Sequence, residues 1–153
     1  PRLSAPSARA LSCASALGLM TACAGPAGSG VAPVASPTRT VYHVNSGVES
    51  SAAILNNVRN HLNADPKARI VVVTHGPGID FLLQDAKDSR GREFSSPVSD
   101  LAGRGVEFRV CNNTLETRSI PASKLLFEAK IVPSGVAEVA RLQAAEGYVY
   151  LKP

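Results

Sequence analysis

The sequence predicts one α/β domain of three layers, in which helices cover both faces of a five-stranded, mainly parallel sheet. From Thr40 onward, strand-like and helix-like segments alternate, which is typical of parallel α/β folds. The segment Arg69–Thr74 contains a continuous apolar run, as expected of a strand that is buried on both faces. With 153 residues, of which 44% are hydrophobic, the chain has enough apolar surface for one such core.

Five segments have the β-branched and aromatic composition that is typical of strands. In chain order they are Thr40–Val44, Arg69–Thr74, Val106–Val110, Ala129–Val132 and Tyr148–Leu151. The last is short and follows all the others, so we expect it to lie at an edge of the sheet.

Apolar residues at helical spacing predict a helix between the first two strands, and Asp65 followed by Pro66 ends it. These apolar residues are Ile54, Leu55, Val58 and Leu62. The second strand is followed by a predicted short helix over Gly78–Gln84, an exposed polar loop over Asp85–Ser96 and a helix over Pro97–Arg104.

The final helix is predicted to begin at Ser134 or Gly135 and to stop at Gly147, a residue that commonly ends helices. Four apolar residues are expected to turn toward the sheet, namely Val136, Val139, Ala140 and Leu142.

The first 24 residues have the pattern of an export signal. Arg2 and Arg9 precede an uncharged, fairly apolar stretch, Ala10–Ala22, that is too short to span a membrane. The stretch leads to Cys23 through Leu-Met-Thr-Ala, which resembles a bacterial lipobox, although methionine stands where Leu, Val or Ile is usual. Lipidation of Cys23 would tether the protein to a membrane in the periplasm or cell envelope.

Two other interpretations of this segment stay open. Ordinary signal cleavage at the small residues 22–24 would release a soluble envelope protein, and an Ala-rich extension without an address would leave the chain in the cytoplasm. The Gly-, Pro-, Ala- and Ser-rich residues 25–39 predict a flexible linker. The sequence therefore predicts a signal in residues 1–24, a linker in 25–39 and a folded domain in 40–153.

The net charge of +4 comes mainly from the part of the chain that precedes the predicted domain. Arg2, Arg9 and Arg39 stand in a region without acidic residues, whereas thirteen Lys and Arg face twelve Asp and Glu from Val41 onward. Only seven residues are aromatic, and none is interleaved with a basic cluster. The composition therefore argues against nucleic acid as a partner.

The cysteines predict neither a disulfide framework nor a metal centre. Cys13 and Cys23 belong to the signal region, which leaves Cys111 without a partner in the domain. The chain contains three histidines, namely His43, His61 and His75. No Cys-x-x-Cys or His-x-x-x-His spacing occurs, so we expect no metal.

Loops that leave the carboxyl ends of parallel strands gather at one edge of the sheet, where open α/β folds bind ligands. The loops after the first four strands carry polar and turn residues, which are Asn45, Ser46 and Gly47; His75, Gly76, Pro77 and Gly78; Cys111, Asn112 and Asn113; and Pro133, Ser134 and Gly135. How close His75 lies to Cys111 depends on the strand order, which the sequence leaves open.

Cys111 is the leading candidate for chemistry because it stands where a strand gives way to a helix. Free N–H groups at a helix N-terminus stabilise negative charge and favour the reactive thiolate. The alternative is a small buried apolar side chain. His75 could lower the thiol pKa or move a proton, or it could fix the turn through a backbone hydrogen bond.

The other loop residues are candidate ligand-binding groups, each with a purely structural alternative. Asn112 and Asn113 could orient a bound group, although Asn is also a preferred helix cap. Gly76 and Gly78 could let the backbone approach a ligand or could make a tight strand-to-helix connection. Asn45, Ser46 and Ser134 complete the set; serines at a helix start could hold an anion or cap the helix.

Three ordered motifs resemble the DsrE-like family, which includes the DsrE/DsrF sulfur-relay proteins. They are Thr74, His75, Gly76, Pro77, Gly78; then Val110, Cys111, Asn112, Asn113, Thr114, Leu115; then Val132, Pro133, Ser134, Gly135, Val136. The resemblance spans residues 40–153. It implies a DsrE-like parallel sheet in a flavodoxin-like arrangement, and assembly into a homo-oligomer, a trimer or a hexamer.

The resemblance also implies a function, since relatives in sulfur relay carry sulfane sulfur as a persulfide on a cysteine. On this chain the carrier would be Cys111, supported by His75, with sulfur donor and acceptor proteins as partners and no cofactor. Whether such a carrier is an enzyme, a sulfurtransferase, stays open. The alternative is a noncatalytic oligomeric module in the cell envelope that binds a small ligand or another protein.

Overall fold

The computed structural model describes residues 37–153. The predicted signal, with Cys13 and Cys23, and residues 25–36 of the predicted linker lie outside the described residues.

The described residues form a five-stranded sheet in which every neighbouring pair of strands is parallel. Its strands are β1 (Arg39–Val44), β2 (Arg69–Thr74), β3 (Glu107–Cys111), β4 (Ala129–Val132) and β5 (Val149–Leu151). Their order is β4-β3-β2-β1-β5, which differs from the 2-1-3-4-5 order of flavodoxin itself. The predicted three-layer parallel α/β class is confirmed, and the last strand lies at an edge as expected.

The register aligns the carboxyl ends of the first four strands. Thr74 stands beside Val44 on one side and Val110 on the other, and Cys111 stands beside Val132. The loops after these strands therefore meet at one edge of the sheet, as the sequence predicts.

One face of the sheet, here called the α1 face, carries the larger apolar cluster. It is covered by α1 (Val48–Ala64), a 3-10 segment (Gly76–Leu82) and α2 (Ser95–Gly103). The strands contribute Tyr42, Val44, Ile70, Val72, Phe108 and Val110 to this cluster. The helix α1 contributes the four apolar residues that the sequence predicts, Ile54, Leu55, Val58 and Leu62.

The opposite face, here called the α4 face, is covered by α4 (Gly135–Glu146), which crosses β3, β2 and β1 on its way to β5. Its cluster is small and consists of Val41, Val71, Val73, Val139 and Leu142. The expectation that Val136 and Ala140 also face the sheet is wrong, because both are exposed. A single helix lying across a sheet buries one narrow stripe, and here that stripe is Gly135, Val139 and Leu142.

Two segments on the α1 face differ from the sequence prediction. The predicted helix over Gly78–Gln84 is the 3-10 segment, which begins two residues earlier. The predicted exposed loop over Asp85–Ser96 buries Phe94, whose ring packs edge-on against Phe81 with the ring centroids 6.0 Å apart. A single aromatic anchor in a polar stretch produces no periodicity, so the pattern could not reveal it. None of the described helices is long and apolar enough to cross a membrane.

Candidate functional site

Three side chains with titratable groups converge on the α4 face at the carboxyl edge of the sheet. His43 lies near the end of β1, His75 follows β2 directly, and Cys111 is the last residue of β3. Alternation along a strand places them there, because Val41 and Val73, two residues before His43 and His75, belong to the small cluster under α4.

The start of α4 lies against this group. A Cβ atom on Gly135 would stand 3.2 Å from the Cβ atoms of both Cys111 and His75. The two side chains are therefore neighbours that both lie against Gly135, because β2 and β3 are adjacent in the sheet. Arg109, two residues before Cys111, donates to the carboxylate of Glu138 and fixes the first turn of α4 on β3.

The Cys111 residue is 5% exposed, yet four donor groups lower the pKa of its thiol. Burial, the largest single influence, raises the pKa of the thiol, but hydrogen bonds from the Gly135 N–H, the Thr114 hydroxyl and N–H, and the Asn113 N–H outweigh it. The net result is a thiol pKa below its ordinary value. The site therefore favours the thiolate, the form that attacks sulfur.

Thr114 also joins two of the loops. Its Oγ1 accepts a hydrogen bond from the N–H of Gly76 at 3.0 Å, so the loop after β2 is held against α3 (Asn112–Thr117). Gly76 has φ +54°, a left-handed conformation that glycine adopts without strain. The sequence pattern assigned no role to Thr114, although its spacing of three from Cys111 is the one cue that the sequence offers.

The two histidines are bonded to each other and to a tyrosine. The Nε2 atoms of His43 and His75 lie 2.7 Å apart, and the rings are stacked with centroids 4.8 Å apart. The Nδ1 atom of His43 lies 2.8 Å from Oη of Tyr150 on β5. Because β5 pairs with β1, a residue near the end of the described chain reaches the site.

Both imidazoles resist protonation. Burial lowers the pKa of His43, and the positive charges of His75 and Lys152 lower it further. Burial and Lys152 likewise lower the pKa of His75. His75 is not among the described groups that lower the pKa of Cys111, so the thiol owes its acidity to N–H and O–H donors.

The asparagines after Cys111 are not helix caps. Cys111 itself occupies the cap position of α3 and makes no side-chain capping bond. Asn112 donates from Nδ2 to Oε1 of Glu116 at 2.7 Å, and the backbone N–H of Asn113 helps to lower the pKa of the thiol. The cap interpretation is wrong because β3 passes into α3 without an intervening residue.

The predicted ligand-binding residues of the first loop bond within that loop. Oγ of Ser50 lies 2.8 Å from Oγ of Ser46 and 3.1 Å from the Gly47 carbonyl oxygen, and the two hydroxyls can satisfy both contacts with one hydrogen each. No hydrogen bond among residues 37–153 joins Asn45 or Ser46 to Cys111 or His75.

Gly78 and Ser134 have structural roles. A Cβ on Gly78 would stand 2.3 Å from the carbonyl oxygen of Val44, so the close approach is to the β1 backbone. Ser134 caps α4 by accepting the N–H of Ala137 at 3.4 Å. In the part of the chain that the structure describes, no group of three or more His, Cys, Asp and Glu is arranged to hold a metal ion.

Fold and site together define a class, the open parallel α/β domain with an acidic thiol among N–H donors at the carboxyl edge of its sheet. The family model of the DsrE/DsrF-like family matches residues 38–153, and the chain belongs to this family. The chain matches none of the curated proteins.

Solved structures agree with this assignment. A protein of unknown function, MTH1491 from Methanobacterium thermoautotrophicum, is 35% identical with a TM-score of 0.68, over 76% of this chain and 99% of that one. The ychN protein of E. coli shares the fold at 14% identity and a TM-score of 0.60, over 77% of this chain and 100% of its own. BT1422 from Bacteroides thetaiotaomicron, a conserved protein also of unknown function, shares the fold at 12% identity and a TM-score of 0.57, over 75% of this chain and 94% of its own.

Proposed function

We propose that this domain is a sulfur-relay protein of the DsrE type that carries sulfane sulfur as a persulfide on Cys111. The observation that carries the proposal is the surroundings of the thiol: the Cys111 residue is 5% exposed, yet nearby N–H and O–H groups lower the pKa of its thiol despite burial. Aliphatic surroundings would keep such a thiol protonated and inert, whereas these donors stabilise a sulfur anion.

The reaction is a sulfur exchange without net oxidation. The Cys111 thiolate attacks the terminal sulfur of a donor R–S–SH, a new S–S bond forms, the old one breaks, and R–S⁻ leaves. In the second step an acceptor thiolate attacks the terminal sulfur on Cys111, and the Cys111 thiolate is released. The same four donors stabilise Sγ before the first step and as the leaving group of the second.

His75 supplies the proton for the leaving thiolate or accepts the proton of Cys111 when the thiol is loaded. Its Cβ and that of Cys111 lie equally close to Gly135, and a half-buried imidazole with a lowered pKa is largely neutral at pH 7 and able to accept a proton. The small exposed fraction of Cys111 favours small donors, so inorganic polysulfide should load it faster than the bulkier glutathione persulfide.

A homo-oligomer, a trimer or a hexamer, is the proposed working form. Large apolar side chains stand exposed on one domain, and such surfaces are typical of interfaces. They are Phe127, Ile131, Val136, Val149, Tyr150 and Leu151. Sedimentation velocity would test the assembly, with Val136→Glu expected to shift the protein toward the monomer and Thr117→Glu, on the exposed side of α3, as the matched control.

The test of the carrier function is intact mass spectrometry after treatment with inorganic polysulfide. The protein should carry Cys13→Ser and Cys23→Ser, so that Cys111 is its remaining cysteine. We expect a gain of one sulfur atom per chain, removal of that atom by an acceptor thiol, and no gain after a further Cys111→Ser.

A folded Cys111→Ser control by circular dichroism makes this result interpretable. If the protein with Cys111 gains no sulfur, the carrier function is wrong and the noncatalytic oligomeric module is supported instead.

The cell envelope is the proposed location, with Cys23 as the lipidated residue. The support is the sequence pattern of residues 1–24. Fractionation with labelled palmitate should place label on the protein in membranes, and Cys23→Ala should remove it. A cytoplasmic, unlabelled product would contradict the proposal.

A further inference from the structure

We propose that His43 and Tyr150 are positioning residues for His75, and that the two imidazoles act as one proton-transfer group whose working nitrogen is Nδ1 of His75. The proposal rests on the proposed function of Cys111, but its central measurement does not require that function. It starts from the chain of short contacts Tyr150–His43–His75, which sequence patterns do not reveal.

The contact between the two Nε2 atoms restricts the protonation of the pair. At 2.7 Å one nitrogen must carry the hydrogen and the other must offer a lone pair. Two imidazolium rings would place two hydrogens and two positive charges in that contact. The pair therefore holds at most one excess proton, and its titration belongs to the pair rather than to either ring.

Tyr150 determines which nitrogens are available. When the phenol oxygen accepts from Nδ1–H of His43, Nε2 of His43 is left as an acceptor, and it receives the hydrogen of His75 Nε2. The remaining nitrogen of His75, Nδ1, then has a free lone pair. No hydrogen bond to that atom occurs among the described residues.

The reverse arrangement cannot serve the reaction. If the phenol donates to His43, then Nε2–H of His43 donates to His75, whose Nδ1 carries a hydrogen and cannot accept one. In contrast, the neutral form with Tyr150 as acceptor and the singly protonated pair differ by one proton on Nδ1 of His75. Tyr150 accepts from His43 in both, so no hydroxyl has to rotate.

The proton transfer uses only groups that the site and the reacting thiols supply. The S–H bond of Cys111 or of an incoming thiol breaks, an N–H bond forms at Nδ1 of His75, and the positive charge is shared across the Nε2–Nε2 hydrogen bond. Returning that proton to the departing R–S⁻ restores the neutral pair. Lys152, the charged group that acts on both rings, opposes the cation and so favours release of the proton.

The test uses the full chain and begins with ¹⁵N NMR of the histidine rings, which identifies the protonated nitrogen of each. We expect Nδ1–H on His43, Nε2–H on His75, and uptake of one proton by the pair as the pH falls. Independent titration of the two rings, or Nδ1–H on neutral His75, would overturn the proposal.

The matched variants are Tyr150→Phe, which removes the acceptor oxygen, and Tyr148→Phe, which removes a hydroxyl that has no contact with either histidine. Tyr150→Phe should change the tautomers, shift the pH profile of sulfur release from Cys111 and slow release about tenfold. The unfolding midpoint should be unchanged, so that slower release reports on the histidine pair and not on the fold. Tyr148→Phe should alter none of these properties.

The two proposals fail in different ways. If polysulfide leaves no sulfur on Cys111 while the NMR tautomers are as expected, only the carrier function is wrong. If Tyr150→Phe loads and releases sulfur with the same pH profile as the unchanged protein, the proton-transfer role of the histidine pair is wrong and the carrier function stands.

Discussion

The two faces of the sheet are built for different tasks. The α1 face buries a large apolar cluster under α1, the 3-10 segment and α2. The α4 face buries a cluster of only five residues between the sheet and one helix. Cys111, His43, His75 and the Arg109–Glu138 ion pair lie beside this cluster. Stability thus resides mainly on one face, which leaves the other face able to carry polar groups that a full apolar core would exclude.

Substitution of two glycines, one on each face, gives the largest expected difference in loss of stability. In Gly78→Ala the new Cβ would stand 2.3 Å from the Val44 carbonyl oxygen, which belongs to the sheet and cannot move aside, so we expect a loss of about 3 kcal/mol or more. In Gly135→Ala it would stand 3.2 Å from the Cβ atoms of Cys111 and His75 and from the Thr74 carbonyl oxygen, a milder overlap that a shift of a few tenths of an ångström relieves.

We therefore expect Gly135→Ala to cost about 1 kcal/mol, less than Gly78→Ala, while slowing alkylation of Cys111. Urea denaturation and alkylation kinetics measure the two effects. Equal losses of stability would contradict the division between the faces.

Two buried helix leucines give the next largest difference. Leu62→Ala opens a cavity within the confined cluster of the α1 face and should cost about 4 kcal/mol, whereas Leu142→Ala should cost about 2 kcal/mol. The reason is that α4, with exposed flanks, can settle into the space left behind. A larger loss for Leu142→Ala, measured by urea denaturation, would show that the α4 face is the more rigid one.

Thr114→Val tests the electrostatics of the thiol with almost no change of volume, and it also removes the acceptor of the Gly76 N–H. It removes a hydroxyl that lowers the pKa of Cys111, so the thiolate fraction at pH 7 should fall and alkylation should slow about tenfold. Thr117→Val is the matched control on the same helix, because its hydroxyl bonds only the Asn113 carbonyl. Equal rates in both variants would mean that the hydroxyl does not act on the sulfur.

The smallest expected effect is the pH dependence of stability from the histidine pair. The folded-state pKa values of His43 and His75 lie below the unfolded value of about 6.5. The unfolded state therefore binds protons first, so stability is complete above that pH and is lost as the pH falls through the folded-state values. His43→Phe should reduce the difference between the free energies of unfolding at pH 7.5 and pH 5, measured by urea denaturation. An unchanged difference would mean that other groups cause the pH dependence.

The fold could be predicted because its strongest signals are local. The apolar run of β2 and the helical spacing in α1 each mark an element without reference to the rest of the chain, and both are confirmed. Cys111 and His75 could be placed at the carboxyl edge of the sheet because each directly follows or ends a strand that is recognisable from its own composition. Their adjacency could not be predicted, because it depends on the order of β2 and β3 in the sheet.

His43 and Tyr150 escaped prediction for a related reason. They lie 107 residues apart on strands that pair only because the chain returns across the whole sheet through α4. Nothing in the sequence around His43 in β1 indicates that its ring contacts His75 and Tyr150. The sequence places Gly135 at this edge, but its role, which is to leave room between α4 and the Cβ atoms of Cys111 and His75, depends on the strand order.

The return of the chain through α4 has a consequence for biosynthesis. During translation His43, His75 and Cys111 emerge first, and Tyr150 follows all of them. The nascent protein can bury its α1 face before β5 exists, but the hydrogen-bonded series of rings closes only when that strand pairs with β1. In a ribosome-bound chain the Cys111 thiol is therefore present before Tyr150 can bond to His43. The complete site forms only in the last step of folding.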